Sequence, residues 1–165
     1  MITKKGLRVT ETAEFAQELQ KKHEIPNSNT IADEDGVGGG VVDILRCRGF
    51  VNNSSALPSP EKPEYDERGN KKNENYDNLK SQCSFRIARR INKNGIFIDC
   101  DEMDREQIIE EMEQVKEKEV DSDKKLGILP KPKVKEIIGR SPDNWDCLMM
   151  REWFELAPKY EILVA

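Results

Sequence analysis

The sequence predicts an α/β domain with a mainly parallel portion of sheet flanked by helices, and three observations carry that expectation. A short β-prone run, Asn29-Thr30-Ile31-Ala32, ends in the acids Asp33-Glu34-Asp35, turns through Gly36-Val37-Gly38-Gly39-Gly40 and enters the apolar Val41-Val42-Asp43-Ile44-Leu45. Strand, glycine turn, helix is the layout of a sheet whose functional groups gather at the carboxyl ends of its strands. Residues 75–94 carry apolar side chains at helical spacing, and a Ser-Pro pair at 141–142 opens a third amphipathic segment.

Taken in order, residues 12–23 suit an amphipathic helix with Phe15, Ala16 and Leu19 inward, halted near Pro26. After the helix beginning in the glycine turn, residues 49–53 form a short strand. Residues 54–72 are rich in Pro, Ser, Glu and Lys and read as a mobile loop or insertion. The helix at 75–94 has Tyr76, Leu79, Cys83, Ile87 and Ile91 as its apolar stripe and ends at Gly95. Residues 95–99 then predict a buried strand, Ile96-Phe97-Ile98. A solvated helix follows over 107–118, with Ile108, Met112 and Val115 as a thin apolar stripe. At the last helix, Ser141 is the expected N-cap and Pro142 the first helical residue. Trp145, Leu148, Met149, Trp153 and Leu156 face the core there.

The chain has 165 residues, room for one domain (1–165) with a real core, but 36% hydrophobic and 36% charged content make that core lean. No apolar run is long enough to span a bilayer and the N-terminus has no apolar signal region, so a soluble, cytoplasmic protein is expected, with no membrane partner. Cys47, Cys83, Cys100 and Cys147 are scattered without a Cys-x-x-Cys pair, and His23 is the only histidine. Zinc and thiol chemistry are therefore poor candidates, and Cys83 and Cys147 are expected as buried thiols. The net charge of −5 hides a segregation: residues 99–123 hold 12 acids against three bases, and residues 124–140 hold six bases against one acid.

Two acidic sites attract functional interest. Asp143 and Asp146, three residues apart, fall on one face of the first helical turns, just after Lys131, Lys135 and Arg140. Carboxylates on a rigid element beside basic residues suit metal-assisted phosphate chemistry, although acids in a first turn also simply complement the helix dipole. Asp33, at a strand end before a glycine turn, is the second, and Asp35 or Glu34 could take its place as ligand; Asp43 is nearby. The glycine turn is not a Walker A loop, since no Gly-Lys-Ser/Thr follows, and it fails the dinucleotide fingerprint because Val41 or Asp43 stands at the third glycine position. Arg86, Arg89, Arg90 and Lys93 share one side of the 75–94 helix, either as a solvated flank or as contacts to a phosphate backbone.

These tracts together resemble the C-terminal nuclease domain of the large terminase subunits of tailed phages. The segment Asp33-Glu34-Asp35-Gly36-Val37-Gly38 through Asp43 is similar to the family's Asp-x-x-Gly-x-Gly stretch. Lys131, Lys135, Gly139, Arg140 and Ser141-Pro142-Asp143-x-x-Asp146 are similar to its Lys…Lys…Gly-Arg-Ser-Pro-Asp-x-x-Asp stretch. Gly49-Phe50-Val51-Asn52-Asn53-Ser54 and Asn78-Leu79-Lys80-Ser81-Gln82-Cys83 fall between them in the family's order, so the likeness runs over about residues 14–156. It implies a ribonuclease H-like fold that cuts double-stranded DNA with two divalent metals, Mg2+ or Mn2+, held by three acidic positions. Asp33 corresponds to the middle acid, Asp146 to the last, and Asp143 to an auxiliary position; all three are candidate catalytic and metal residues. The first acid belongs to an opening β-meander that residues 1–12 do not supply. Lys131, Lys135, Arg140, Arg86 and Arg90 are the candidate DNA-binding residues. The implied partners are double-stranded DNA, an upstream ATPase segment, the portal and the small terminase subunit. Two other readings stay open: a truncated, inactive terminase remnant that binds DNA or a partner, and an unrelated α/β nucleotide-binding domain.

Overall fold

In the computed structural model, which describes residues 2–58, 75–118 and 125–157, helix α1 (Val9–His23) precedes strand β1 (Ile31–Asp33), helix α2 (Gly38–Leu45) and strand β2 (Arg48–Phe50). The strands pair in parallel, with Ile31 opposite Arg48, Ala32 opposite Gly49 and Asp33 opposite Phe50. Parallel neighbours need a crossover, and α2 is that crossover.

Its glycines let it sit close. A Cβ on Gly38 would lie 1.7 Å from the Asp33 carbonyl oxygen, and one on Gly40 would lie 2.9 Å from Val9 Cγ1. The glycine turn therefore seats the first turn of α2 against the end of β1 and against α1. No phosphate loop is required to explain it. Gly36, at φ +69°, takes the left-handed conformation that turns the chain from β1 toward α2.

Helix α3 (Leu79–Asn92) is shorter than the sequence suggests because Asn78 caps it, its side chain accepting from the Ser81 N–H at 2.8 Å. Leu79, Cys83 and Ile87, four residues apart, are buried along one stripe as expected. Helix α4 (Glu102–Glu113) starts five residues before the expected position, capped by Asp101 accepting from the Asp104 N–H at 2.8 Å. Helices α5 (Lys131–Ile138), α6 (Asp143–Arg151) and α7 (Trp153–Leu156) complete the described chain. α6 lies at the centre, against β1, α3 and α4, and leads into α7. The core joins Phe50 from β2, Leu79, Cys83 and Ile87 from α3, and Trp145, Met149, Met150 and Leu156 from α6 and α7.

Several expectations are corrected. Residues 95–99 do not form a buried strand: among the described residues no hydrogen bond reaches the backbone of Ile96, Phe97 or Ile98, and Phe97 is 88% exposed. A strand needs a neighbouring strand to complete its ladder, and no described strand pairs with this run. Ser141 does not cap α6. Pro142 occupies the capping position and Asp143 is the first helical residue, so the third N–H of the helix, that of Trp145, lies beyond the reach of Ser141 and donates to a distant carboxylate, Glu111. Cys147 is exposed, since it falls on the solvent side of α6 between the buried pairs Trp145-Asp146 and Met149-Met150. Cys83 is buried as expected, and burial, followed by the Glu152 charge, pushes its thiol up to about 12 despite the opposing pull of Arg86. Of the expected 54–72 insertion, residues 59–72 lie outside the described residues.

Gly38→Ala should cost about 1–3 kcal/mol, because its methyl meets backbone that cannot swing aside. Gly39→Ala, whose Cβ would stand 3.3 Å from the Glu34 carbonyl oxygen, should be far better tolerated. Urea unfolding midpoints of the two variants give the comparison.

Candidate active site

Asp33 stands at the end of β1, and Asn52 lies two residues beyond β2. Because the strands run in parallel, both arrive at the same edge. Asp33 Oδ1 accepts from the Asp35 N–H and from Asn52 Nδ2, each at 3.1 Å. Asp35 Oδ2 accepts from Asn52 Nδ2 at 2.7 Å and from the Asn52 N–H at 3.1 Å. One asparagine thus ties two carboxylates together and fixes the turn between them.

The same loop receives α3. The Lys80 N–H donates to the Asn52 carbonyl at 3.2 Å and the Leu79 N–H to the Ser54 carbonyl at 2.8 Å. This docking carries the Lys80 side chain to Asp146, where its Nζ donates to Oδ1 at 2.7 Å. Lys131, in the first turn of α5, donates to Asp146 Oδ2 at 2.5 Å and lies 3.8 Å from Asp143. Asp146 is buried, and a buried carboxylate must be paired. Each of its oxygens has an ammonium partner.

Lys131 is the electrostatic hub. Burial pulls its pKa down, but the hydrogen bond and charge of Asp146, then the charges of Asp143 and Asp33, outweigh that and leave it above its ordinary value. Asp143 and Asp146 of α6 and the sequence-distant Asp33 of β1 therefore act on one ammonium. Asp143, with its side chain 78% exposed, is the outermost of them. Glu34 and Asp43 are exposed; the Glu34 side chain folds over Gly49, where a Cβ would meet its Oε2 at 1.8 Å.

Two buried glutamates hold the helix that presents Asp143 and Asp146. Glu111 of α4 accepts from the Trp145 N–H at 2.8 Å and from Asn144 Nδ2 at 3.3 Å, and is ion-paired with Arg140. Glu152, fully buried at the other end of α6, pairs with Arg90 at 3.0 Å and Arg151 at 3.1 Å, with Arg86 at 3.8 Å.

Three of the expected DNA-binding residues have carboxylate partners in the structure. Arg86 and Arg90 turn inward onto Glu152, and Arg140 onto Glu110 and Glu111, because buried carboxylates need them there. Lys135 remains exposed. Sequence reasoning missed Lys80, Asn52 and Glu111 as site residues. Lys80 and Asn52 lie in stretches whose likeness to the family is legible, but nothing local assigns them a role. Glu111 sits among many acids, and only its helical position beside the apolar residues Ile108 and Met112 could have marked it.

Among the described residues no group of three or more His, Cys, Asp or Glu side chains is arranged to hold a metal ion. Asp33 and Asp146 are oxygen donors of the kind magnesium and manganese take. The chemistry of these donors fits a divalent cation.

No protein-family model matches the sequence, nor does any curated protein. Solved structures do match. The nuclease domain of the large terminase subunit of bacterial virus Sf6 aligns with a TM-score of 0.63 at 22% identity, over 86% of this chain and 70% of that one. A lysine-to-alanine variant of that domain with manganese gives 0.63 at 22%, over 86% and 71%. The variant with calcium gives 0.63 at 21%, over 86% and 70%. The chain has the fold of a large-terminase nuclease domain.

Arg140→Ala should destabilise by roughly 2–3 kcal/mol, below the ~3–5 kcal/mol of a fully broken buried pair because Asn144 and the Trp145 N–H still serve Glu111. Lys135→Ala should leave the melting temperature unchanged, and differential scanning calorimetry separates the two. For Lys131 the folded-state pKa is raised, so its stabilising contribution is whole below the ordinary value of 10.5 and is lost as pH rises through the higher folded value. Stability measured from pH 8 to 12 should fall less steeply at the alkaline end in Lys131→Met than in the parent.

Proposed function

We propose that this chain is the nuclease part of a phage DNA-packaging terminase, with a ribonuclease H-like fold, engaging double-stranded DNA at the cluster of Asp33, Lys131 and Asp146. The observation that supports it most is the buried carboxylate of Asp146, which holds Lys80 on one oxygen and Lys131 on the other, with Asp143 3.8 Å from Lys131. The likeness to the Sf6 nuclease domain supports the same reading.

In this reading Lys80 and Lys131 bind the phosphodiester. An ammonium has three N–H donors, so each lysine can stay on Asp146 and still offer a donor to a phosphate oxygen. Asp146 fixes the two lysines side by side, and Lys135, further along α5, extends the positive surface along the backbone of the duplex. Asn52 holds Asp33 and Asp35 in their turn. Asp33 and Asp146, with Asp143 as auxiliary, are the residues that would hold a divalent cation, Mg2+ or Mn2+, which would polarise the phosphodiester as a Lewis acid. Asp33, Asp146 and Asp143 are the proposed catalytic residues. The partners proposed with DNA are an ATPase segment, the portal and the small terminase subunit, in the host cytoplasm. Among the described residues no helix is long and apolar enough to cross a membrane.

A second reading has its own support. The described acids do not form a group of three, which favours a remnant that binds DNA without cutting it. An unrelated nucleotide-binding domain has none, because the glycine turn is explained by packing of α2 on Asp33.

Two measurements decide between these readings. Anisotropy of labelled duplex DNA across a salt series should show binding that weakens steeply with salt through counterion release. The Lys131→Ala, Lys135→Ala double variant should flatten the slope by up to about 0.9 for each phosphate it no longer neutralises. An unchanged slope in a folded double variant sinks the assignment of these lysines. Plasmid cleavage with Mg2+ or Mn2+ should be weak or absent for the chain alone, since a site short of one carboxylate loses charge and geometry together. Robust cleavage abolished by Asp146→Asn would exclude the remnant; no duplex binding even at low salt would overturn both readings.

A further inference from the structure

The run Ile96-Phe97-Ile98 has the composition of a strand and the alternation of one. Ile96 packs against the core while Phe97 is 88% exposed and Ile98 half-buried. Its backbone has no hydrogen-bond partner among the described residues. A row of unpaired N–H and C=O groups beside apolar side chains is a template for another strand. An apolar groove of about 570 Å³ lies alongside, lined by Ile91, Ile96, Phe97, Ile98, Ile109 and Met112.

The rim of the groove is acidic. Glu102, Glu106, Ile109 and Glu113 follow one another at spacings of four, three and four, so they run along one line of α4. The three glutamates are exposed, and Ile109 is 46% exposed between them. Among the described residues Arg105 is the one basic side chain lining it. This field repels DNA, and it repels a second copy of this chain bringing the same acids. It attracts a basic strand.

We propose that residues 96–98 form a docking edge for an extended segment of a partner polypeptide whose apolar side chains alternate with lysine or arginine. Its backbone pairs with Ile96, Phe97 and Ile98, its apolar side chains enter the groove, and its basic side chains meet the glutamates of α4. This mode of recognition draws affinity from main-chain hydrogen bonds and specificity from alternate side chains. It is independent of the DNA reading, because no residue of the Asp146 cluster takes part.

The test uses the full chain and a labelled, end-blocked peptide Lys-Val-Lys-Val-Lys-Val-Lys. Binding should weaken with salt, and hydrogen exchange of the amides at 96–98 should slow in the complex. Methylating alternate backbone nitrogens of the peptide should weaken binding at least about tenfold, since those donors carry the pairing. A peptide with Glu in place of Lys should not bind. Phe97→Asp, which adds negative charge and so strengthens any purely electrostatic attraction, should nevertheless abolish binding while leaving the circular dichroism spectrum and melting temperature unchanged. Equal affinity of the methylated peptide, unslowed exchange at 96–98, binding of the acidic peptide, or undiminished binding to Phe97→Asp would each overturn the proposal. So would a concentration-dependent dimer, seen by sedimentation and abolished in Phe97→Asp, which would make the occupant a second copy.

Discussion

The candidate site depends on one buried carboxylate. Glu111 is 1% exposed, and an ionised group at that depth is tolerated only when its oxygens are hydrogen-bonded and its charge is matched. Arg140 matches the charge, and Asn144 and the Trp145 N–H complete the bonds. The last of these is decisive for geometry. A helix begins with unsatisfied N–H groups and a positive dipole end, and here a carboxylate from α4 satisfies one group and complements the dipole. The first turn of α6 is therefore fixed in direction from outside its own sequence, and Asp146 turns toward Lys80 and Lys131.

Glu152 repeats the arrangement at the other end. It follows Trp145 and Met149 on the buried stripe of α6, where an apolar residue would be expected, and arginines from α3 and its neighbour Arg151 surround it. Replacing such a pair by apolar side chains is often neutral or stabilising, so its worth here lies in orientation rather than in stability. α3 and α6 can meet in only one register if Arg90 is to reach Glu152 while Lys80 reaches Asp146. The two contacts are ten residues apart on α3 and six apart on α6, which crosses the helices at two fixed points. These arginines are thus held on carboxylates of α4 and α6, while Lys80 of α3 and Lys131 of α5 are held on Asp146.

Much of this was legible in the sequence. The strand, glycine turn and helix around Asp33, the apolar stripe of α3, and the core side chains of α6 and α7 follow from local periodicity, and local periodicity is what short-range sterics decide. Asp33 and Asp146 were visible because each sits at the end of an element. What was not legible depends on distant partners. Ser141 is a good capping residue by its own chemistry, but Glu111 arrives from thirty residues earlier and serves the helix instead. Arg86 and Arg90 read as a solvated or DNA-facing flank because nothing near them in sequence shows the carboxylate that α6 carries to them. Lys80 was hidden for the converse reason: an ordinary lysine in the first turn of a helix becomes a site residue only when Asn52 docks that turn against β2.

The segregation of charge along the chain also takes a different meaning in three dimensions. The acidic block around α4 and the basic block around α5 are partly joined, since Arg140 closes onto Glu110 and Glu111. That union consumes one face of α4 and leaves Glu102, Glu106 and Glu113 on another, beside the groove of Ile109 and Phe97. Lys131 of α5 points its charge at Asp146, while Glu102, Glu106 and Glu113 border an apolar surface. A chain with net charge −5 can therefore carry a lysine-bearing cluster and a separate acidic rim, each with its own local field. At physiological salt, fields fall off within about 8 Å, so charge patches separated by more than that act on their own neighbours and the net charge decides neither interaction.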